Sequence, residues 1–384
     1  MEVLFLTDSF APHAGGTAVV FHEWCKRLSP TPVTVITRSY AGHRQVDDGA
    51  PFRALRVPFL NIPKIRMPWM WLLIFLRAFV WLLFSRRQGV VIHAGQILET
   101  GFGAYLLSRM FNVPFVVHTF AEELNHYAKR GWTRRLMSRI LAASSGVSSI
   151  SQYSLSRLKQ LDLYQRSAFL VYPGVDLQAF TPQDRLESRR RLGLPAQAPV
   201  LLTVARMMRR KGHDTVLQAM PELLQHHPDL KYVVVGTGLE QRRLEKLAGQ
   251  LGLGDSVVFA GRAPLGELPT YYSAADLFVH PNREVQGDVE GFGMVFLEAG
   301  ACQIPVIGGN SGGTPDAIDH EQTGYLVDPD SPQDMTRRIL ELLARPEERE
   351  RMGRNGRHWA AAFNWEQAVE VVQAMNRSAL SQPT

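Results

Sequence analysis

Cysteine is nearly absent. The two that occur, Cys25 and Cys302, are separated by most of a 384-residue chain, which excludes a disulfide framework and a cysteine-held zinc site and suits a reducing compartment. The N-terminal MEVLFLTDSF has neither a basic segment nor a small-residue cleavage site, so it reads as a first strand and not as a signal peptide. Repeats with a period of about 20–50 residues and low-complexity tracts are also missing, so the chain is not a repeat array. Gly236-Thr237-Gly238 lacks the third glycine of a dinucleotide fingerprint, and Ala14-Gly15-Gly16 follows the first strand only after a longer loop. Both argue against a nicotinamide cofactor. Asp47-Asp48 and Asp328-Pro329-Asp330 read as turns, which leaves no Asp-x-Asp metal motif, and no metal ligand is assigned.

Apolar residues make up 45% of the chain and charged residues 20%, enough to bury two or three ordinary domain cores. The formal net charge of +6 is unevenly spread. Residues 1–175 carry 20 Lys or Arg against 9 Asp or Glu, a net of +11, while the remainder carries 22 against 27, a net of -5. A basic half can meet nucleic acid, an anionic membrane or a phosphorylated substrate. Nucleic acid is the weakest of the three, because no recognition motif is present and the aromatics cluster with aliphatic residues rather than in a stacking groove.

Short Val- and Ile-rich runs form two series. The first is Val3–Thr7, Val33–Thr37, Val90–His93, Phe115–His118 and Gly146–Ile150; the second is Val200–Val204, Tyr232–Val235, Val257–Phe259, Leu277–His280 and Pro305–Ile307. Helical stretches between them, such as Thr17–Leu28, Gly101–Met110, Thr215–Leu224 and Val295–Cys302, give a βα alternation. The expected fold is therefore α/β, with two doubly wound, Rossmann-like domains and a ligand cleft beyond the carboxyl ends of their strands. The expected boundaries are a first domain over 1–171, a turn-rich linker over 172–197, a second domain over 198–354 and a C-terminal helical segment over 355–384 that packs back on the first domain, with one helix over about 355–376.

Between Trp69 and Phe84, 15 of 16 residues are apolar, Arg77 being the exception; three of the seven tryptophans lie here, at 69, 71 and 81, and Lys64, Arg66, Arg86 and Arg87 flank the stretch. It falls short of the roughly 20 residues needed to span a bilayer and carries a charge in its middle. Two readings remain: an interfacial helix on an anionic leaflet, favoured because tryptophan suits headgroup depth, and a buried helix of the first domain.

The chemistry concentrates in two windows. Gly287-Asp288-Val289-Glu290-Gly291-Phe292-Gly293 leads into an apolar helix, leaving the backbone N–H groups of Gly293, Met294 and Val295 to meet a phosphate. Glu290 in the loop and Glu298 in the helix are spaced to grip two parts of a polyhydroxyl ligand rather than to share a proton; the plain alternative is a solvated Glu and an ordinary helix Glu. In the second window Arg206 follows a strand and Lys211 starts a helix, so the two can clamp a diphosphate, while Arg209 and Arg210 are expected in solvent. His118 ends a strand at the expected cleft edge. His93 reads as a satisfied core-edge residue, and Glu122 and Glu123 as either acceptor contacts or a solvated loop.

In this order and spacing, the motifs resemble those of retaining glycosyltransferases of the GT-B fold, in the family 4 that includes sucrose synthases, bacterial lipopolysaccharide transferases and phosphatidylinositol mannosyltransferases. The family's Glu-x7-Glu pattern falls on Glu290 and Glu298, its phosphate-binding Arg and Lys on Arg206 and Lys211, and its early glycine loop on Gly15 and Gly16. Tyr172-Pro173-Gly174-Val175-Asp176 matches the start of the linker, and Gly236-Thr237-Gly238 a strand end of the second domain. The resemblance implies a nucleotide-sugar donor on the C-terminal domain, its base near Gly261-Arg262-Ala263-Pro264, and an acceptor on the N-terminal domain, with no metal ion. It also implies that His118 contacts the transferred sugar, Glu290 orients it and Glu298 holds the ribose. Front-face transfer is expected, in which the departing diphosphate takes the acceptor's proton. The Gly-Asp-Val-Glu-Gly-Phe-Gly form is similar to that of mannosyltransferases with lipid-linked acceptors, which favours GDP-mannose and a peripheral place at the cytoplasmic face of a membrane. UDP-glucose, UDP-galactose or UDP-N-acetylglucosamine with a soluble or polysaccharide acceptor is the alternative. A UDP-sugar epimerase and an inactive partner subunit are further classes, the latter disfavoured by the intact His118, Arg206, Lys211, Glu290 and Glu298. No oligomeric state follows from these patterns.

Overall fold

The computed structural model describes residues 1–13, 15–59 and 66–382; Ala14, Lys64 and the Arg66 side chain lie outside the described residues. The chain divides into two units, Met1–Gly174 together with Trp365–Thr384, and Val175–Asn364. The first unit holds seven parallel strands: β1 (Glu2–Leu6), β2 (Val33–Arg38), β3 (Arg53–Val57), β4 (Val90–Ala94), β5 (Phe115–Thr119), β6 (Gly146–Ser149) and β7 (Phe169–Leu170), in the order β3-β2-β1-β4-β5-β6-β7. The second holds six, also parallel: β8 (Val200–Val204), β9 (Lys231–Val235), β10 (Val257–Gly261), β11 (Leu277–His280), β12 (Val306–Gly309) and β13 (Gly324–Val327), in the order β10-β9-β8-β11-β12-β13. Central strands such as β1, β4, β5 and β11 are buried along almost their whole length, as crossover helices on both faces require. The strand order reverses between β1 and β4 and again between β8 and β11, and a crevice outside the carboxyl ends is built at such a reversal.

Three strands arise outside the apolar runs of the sequence, namely β3, β7 and β13, and each lies at a sheet edge. An edge strand buries less and tolerates charge, so its hydrophobic signal is weak. Arg56 shows how β3 copes: its guanidinium pairs with Asp47 at 2.6 Å and donates to the Ala11 carbonyl at 2.8 Å.

The single helix expected over about 355–376 is two helices, Pro346–Ala361 and Trp365–Ser381. The chain turns between them, where the Phe363 carbonyl accepts from the Val175 amide at 2.9 Å. The second helix returns to the first unit and buries Met375 and Ala379 against Val91 and Val116. The stretch read as a turn-rich linker, 172–197, also carries the helix Arg185–Arg191. Arg189 is buried there, paired with Asp276 at 2.7 Å and donating to the carbonyls of Ala274 and Ala196, which ties this charge-rich segment into the second unit.

The helix Arg66–Phe84 is apolar on both faces. Met70, Ile74, Ala78 and Leu82, four residues apart, enter the core of the first unit, while Leu72, Leu76, Val80 and Leu83 on the other side are 44–46% exposed. Of the three tryptophans only Trp69 is exposed; Trp71 and Trp81 are half-buried against the core, so the helix combines the two readings, one face in the core and one apolar face turned outward. Among the described residues this is the one helix long and apolar enough to cross a membrane by length and composition.

Candidate active site

In the second unit, β8 ends at Val204 and the chain runs through Arg206 to a short turn, Arg209–Lys211, before the helix His213–His226. Gly212 makes this path possible. It adopts the left-handed region at φ 71°, and a Cβ there would lie 2.0 Å from the Pro281 carbonyl oxygen, so only glycine lets the loop after β8 press against the loop after β11. The result turns Arg210 and Lys211 toward the segment Asp288–Glu290. That segment is set by a tight turn in which Val285 and Asp288 exchange backbone hydrogen bonds of 2.9 and 3.0 Å around Gln286 and Gly287, both at positive φ.

There Lys211 Nζ donates to Glu290 Oε2, Arg210 Nη1 donates to the same oxygen at 2.9 Å, and Arg210 Nε lies 2.8 Å from Asp288 Oδ1. Burial pulls the Lys211 ammonium down to about 8, with Glu290 pushing back. Burial alone would raise Glu290, but Lys211 and Arg210 outweigh it and hold the carboxyl well below the usual carboxylate range. Near neutral pH this is an ionised cluster. Arg210 corrects the expectation that it lies in solvent. It is 8% exposed, because Asp288 and Glu290 together supply enough negative charge to hold two adjacent cations. Arg209 is exposed and 3.6 Å from Glu240. Arg206 is exposed at the strand end, near enough to Lys211 for its charge to lower the ammonium further.

Beyond Glu290, Gly291, Phe292 and Gly293 lead to the helix Met294–Ala301. The Phe292 side chain is buried against Phe363, ring centroids 5.6 Å apart, so it anchors the loop and its backbone is what a ligand would meet. Gly293 caps the helix at φ 97°, where a Cβ would lie 2.7 Å from the Phe296 ring. No acidic side chain occupies the first turn, so the N–H groups of Met294 and Val295 suit an anion. Within the helix, half-buried Glu298 accepts a hydrogen bond from Tyr272 Oη at 2.7 Å; burial raises its carboxyl to about 7, against the pull of that bond. Gly236 follows β9 with its Cα against the Ala205 carbonyl, 2.0 Å from where a Cβ would stand, and Met207 N donates to the Thr237 carbonyl at 3.0 Å. Gly236 thus shapes the loop that carries Arg206. Exposed Arg262 follows Gly261, whose carbonyl accepts from the Gly236 amide at 2.7 Å. The fold therefore gathers Arg206, Gly236 and Arg262 at the adjacent carboxyl ends of β8, β9 and β10.

The first unit treats its expected residues differently. Gly15 is extended at φ -178° and precedes the helix Gly16–Arg27, a conformation open to any residue. His118 is fully buried, which corrects its expected place at a cleft edge. Side chains alternate along a strand, and its ring faces inward, stacked on Phe5 at 5.5 Å and beside Trp24. Its Nδ1 lies 2.7 Å from Ser148 Oγ and its Nε2 3.0 Å from His93 Nδ1, while His93 Nε2 lies 2.6 Å from Asn376 Oδ1. This polar chain joins β4, β5 and β6 to the returning C-terminal helix. Burial lowers both imidazoles, His93 to about 4, so the chain is neutral. Glu123 is likewise structural: its carboxyl oxygens accept from the amides of Ile97 at 2.9 Å and Phe120 at 3.1 Å, and burial with the nearby Glu99 pushes the group well above the usual carboxylate range, whereas Glu122 is exposed.

The sequence matches Glycosyltransferase Family 4 over residues 14–179 and Glycosyl transferases group 1 over residues 184–359. It is similar to the GDP-mannose-dependent alpha-(1-6)-phosphatidylinositol monomannoside mannosyltransferase of Mycolicibacterium smegmatis, with 31% identity covering 95% of this chain and 94% of that one. It is also similar to the D-inositol 3-phosphate glycosyltransferase of Thermobifida fusca, with 34% identity covering 74% and 68%. Among solved structures, sucrose-phosphate synthase from Thermosynechococcus elongatus matches with a TM-score of 0.82 and 25% identity over 98% of each chain. Two parallel-sheet units, an ionised cluster at the strand ends of the second, and full-length similarity to sugar transferases lead to one assignment: the chain belongs to glycosyltransferase family 4 and is a GT-B hexosyltransferase that draws on a nucleotide-diphosphate sugar.

Proposed function

We propose that the enzyme transfers mannose from GDP-mannose, with retention, to a hydroxyl of a lipid-linked acceptor at the cytoplasmic face of a membrane, and that it needs no metal ion. The observation that carries this reading is the 31% identity, over nearly the whole of both chains, to a GDP-mannose-dependent phosphatidylinositol monomannoside mannosyltransferase. The donor diphosphate lies against Arg206, Lys211 and the N–H groups of Met294 and Val295. As the bond from the anomeric carbon to phosphate breaks, charge grows on the leaving oxygen, where these donors stabilise it. The acceptor oxygen bonds to the anomeric carbon on the same face, and its proton passes to the departing diphosphate. Ionised Glu290 orients the sugar hydroxyls and Glu298 the ribose. With its ring enclosed, His118 is left a supporting role beneath the acceptor side, and Gly15 and Gly16 approach the ligand through backbone alone.

Thermal shift tests the donor. GDP-mannose at about 100 times its Kd stabilises the fold by roughly 2.7 kcal/mol; stabilisation by UDP-sugars with none from GDP-mannose would overturn the mannosyl assignment. Glu298 adds a pH dependence. Ionised carboxylate only accepts, which suits two ribose hydroxyls, so with its carboxyl at about 7 donor affinity rises from pH 6 to pH 8 and then levels. Glu298→Gln flattens that rise in calorimetric titrations, and an unchanged profile removes Glu298 from the site. A soluble acceptor is the second reading, favoured by the similarity to a D-inositol 3-phosphate glycosyltransferase and by the net charge of +11 over residues 1–175. Stabilisation by an inositol phosphate without lipid would select it.

A further inference from the structure

A cavity of about 320 Å³ lies in the first unit between the helix Arg66–Phe84 and the helix Gly101–Phe111. Its lining is mostly hydrocarbon, including Leu72, Phe75, Phe102 and Leu106. Two further lining side chains end in atoms without partners among the described residues: Trp71 Nε1 and Glu99 Oε2 are both buried and form no hydrogen bond there, although Glu99 Oε1 accepts from Tyr127 Oη at 2.7 Å. An unmet buried donor or acceptor costs about 1–3 kcal/mol. Plain hydrocarbon in the cavity would leave both atoms unmet, and a fully polar ligand would be set against the apolar lining. A chain ester of glycerol meets both demands, with its hydroxyl donating to Glu99 Oε2 and its ester carbonyl accepting from Trp71 Nε1. Leu72 and Phe102 line the cavity and are also 44% and 43% exposed, so it is continuous with the apolar outer face of the first helix. Arg77 and Arg109 are exposed on the two helices and complement an anionic leaflet.

We propose that this cavity seats one acyl chain and the adjoining glycerol ester of a membrane glycerolipid. The inference deepens the acceptor half of the proposed function and rests on it. Gly103 provides the test. A Cβ there would meet only Phe75 ring and Cβ atoms, at 3.6 and 3.8 Å, so Gly103→Leu fills the cavity from a helical position at which glycine is itself unfavourable.

The full chain is titrated in a calorimeter with 1-decanoyl-glycerol below its micelle concentration. Wild type binds saturably at one site, and Gly103→Leu binds at least tenfold more weakly with an undiminished thermal midpoint. Trp71→Phe keeps an aromatic side chain, though a smaller one, and removes the N–H, so the ratio of the two Kd values within that variant reads the N–H apart from the lost packing: the wild type's several-fold preference for 1-decanoyl-glycerol over its ether analogue disappears. Absence of saturable binding to wild type, equal binding by Gly103→Leu, or an ester preference that survives Trp71→Phe would overturn the proposal. No donor or turnover enters these titrations. Sugar transfer without decanoyl-glycerol binding therefore refutes the cavity assignment alone, and binding without use of GDP-mannose refutes the donor assignment alone.

Discussion

Lys211→Ala lowers turnover by about 10²- to 10³-fold at saturating donor, and Arg206→Ala by about 10²-fold, because each removes a fixed positive donor from the oxygen on which charge develops. The structure separates these two from their neighbour. Arg206 is exposed, so its removal leaves stability near that of wild type. Arg210 is buried between Asp288 and Glu290, and Arg210→Ala leaves the largely buried Glu290 with Lys211 alone and the half-buried Asp288 without its ion pair, a loss that approaches the lower end of the roughly 3–5 kcal/mol for a broken buried pair. Steady-state rates measured beside thermal midpoints therefore sort the three: Arg206 loses rate only, Arg210 loses stability as well as rate, and Lys211 loses rate most. Near-normal turnover in both Arg206→Ala and Lys211→Ala would remove the diphosphate clamp from the account.

Flotation with anionic liposomes shows an equally large effect. Each Leu fully withdrawn from water contributes about 1.5–3 kcal/mol; Leu72, Leu76 and Leu83, at half depth, together contribute roughly 2–4 kcal/mol, or about 30- to 1000-fold in partition. Wild type floats with anionic vesicles at low salt, less as salt rises, and the triple change to Gln leaves it in the soluble fraction without loss of fold. These outward residues are the informative ones. Polar changes at Trp71 and Trp81 would disturb the core against which both pack. Wild type that stays soluble over anionic vesicles at low salt would make the helix a scaffold element and the acceptor a soluble molecule.

The two sheets were legible because buried parallel strands read as unbroken Val and Ile runs, and the loops carrying Glu290 and Lys211 because glycines punctuate them. The edge strands β3, β7 and β13 were not, since edges need no apolar run. A one-residue offset hid the fate of His118: its position in sequence is near a strand end, but the period of two turns its ring inward to His93 and Ser148, and Asn376, the far end of that chain, is more than 250 residues away. Arg210 was misjudged for a related reason. Its partners Asp288 and Glu290 come from another crossover, and the two loops meet through the close approach of Gly212 to Pro281 and the bond from the Arg283 amide to the Arg210 carbonyl at 2.8 Å. Local pattern reports which residues are available at the strand ends; tertiary packing decides which of them face a ligand.

Mannosyl transfer in vesicles tests the central claim most directly. Purified enzyme is incubated with radiolabelled GDP-mannose and anionic vesicles containing a phosphatidylinositol mannoside, with a strong chelator present, and the lipid product is analysed for anomeric configuration. The account predicts an α-mannosylated lipid formed at a rate that the chelator does not change and that Lys211→Ala reduces about 10²-fold or more. Product formed only from a UDP-sugar, or only on a soluble acceptor, would contradict it.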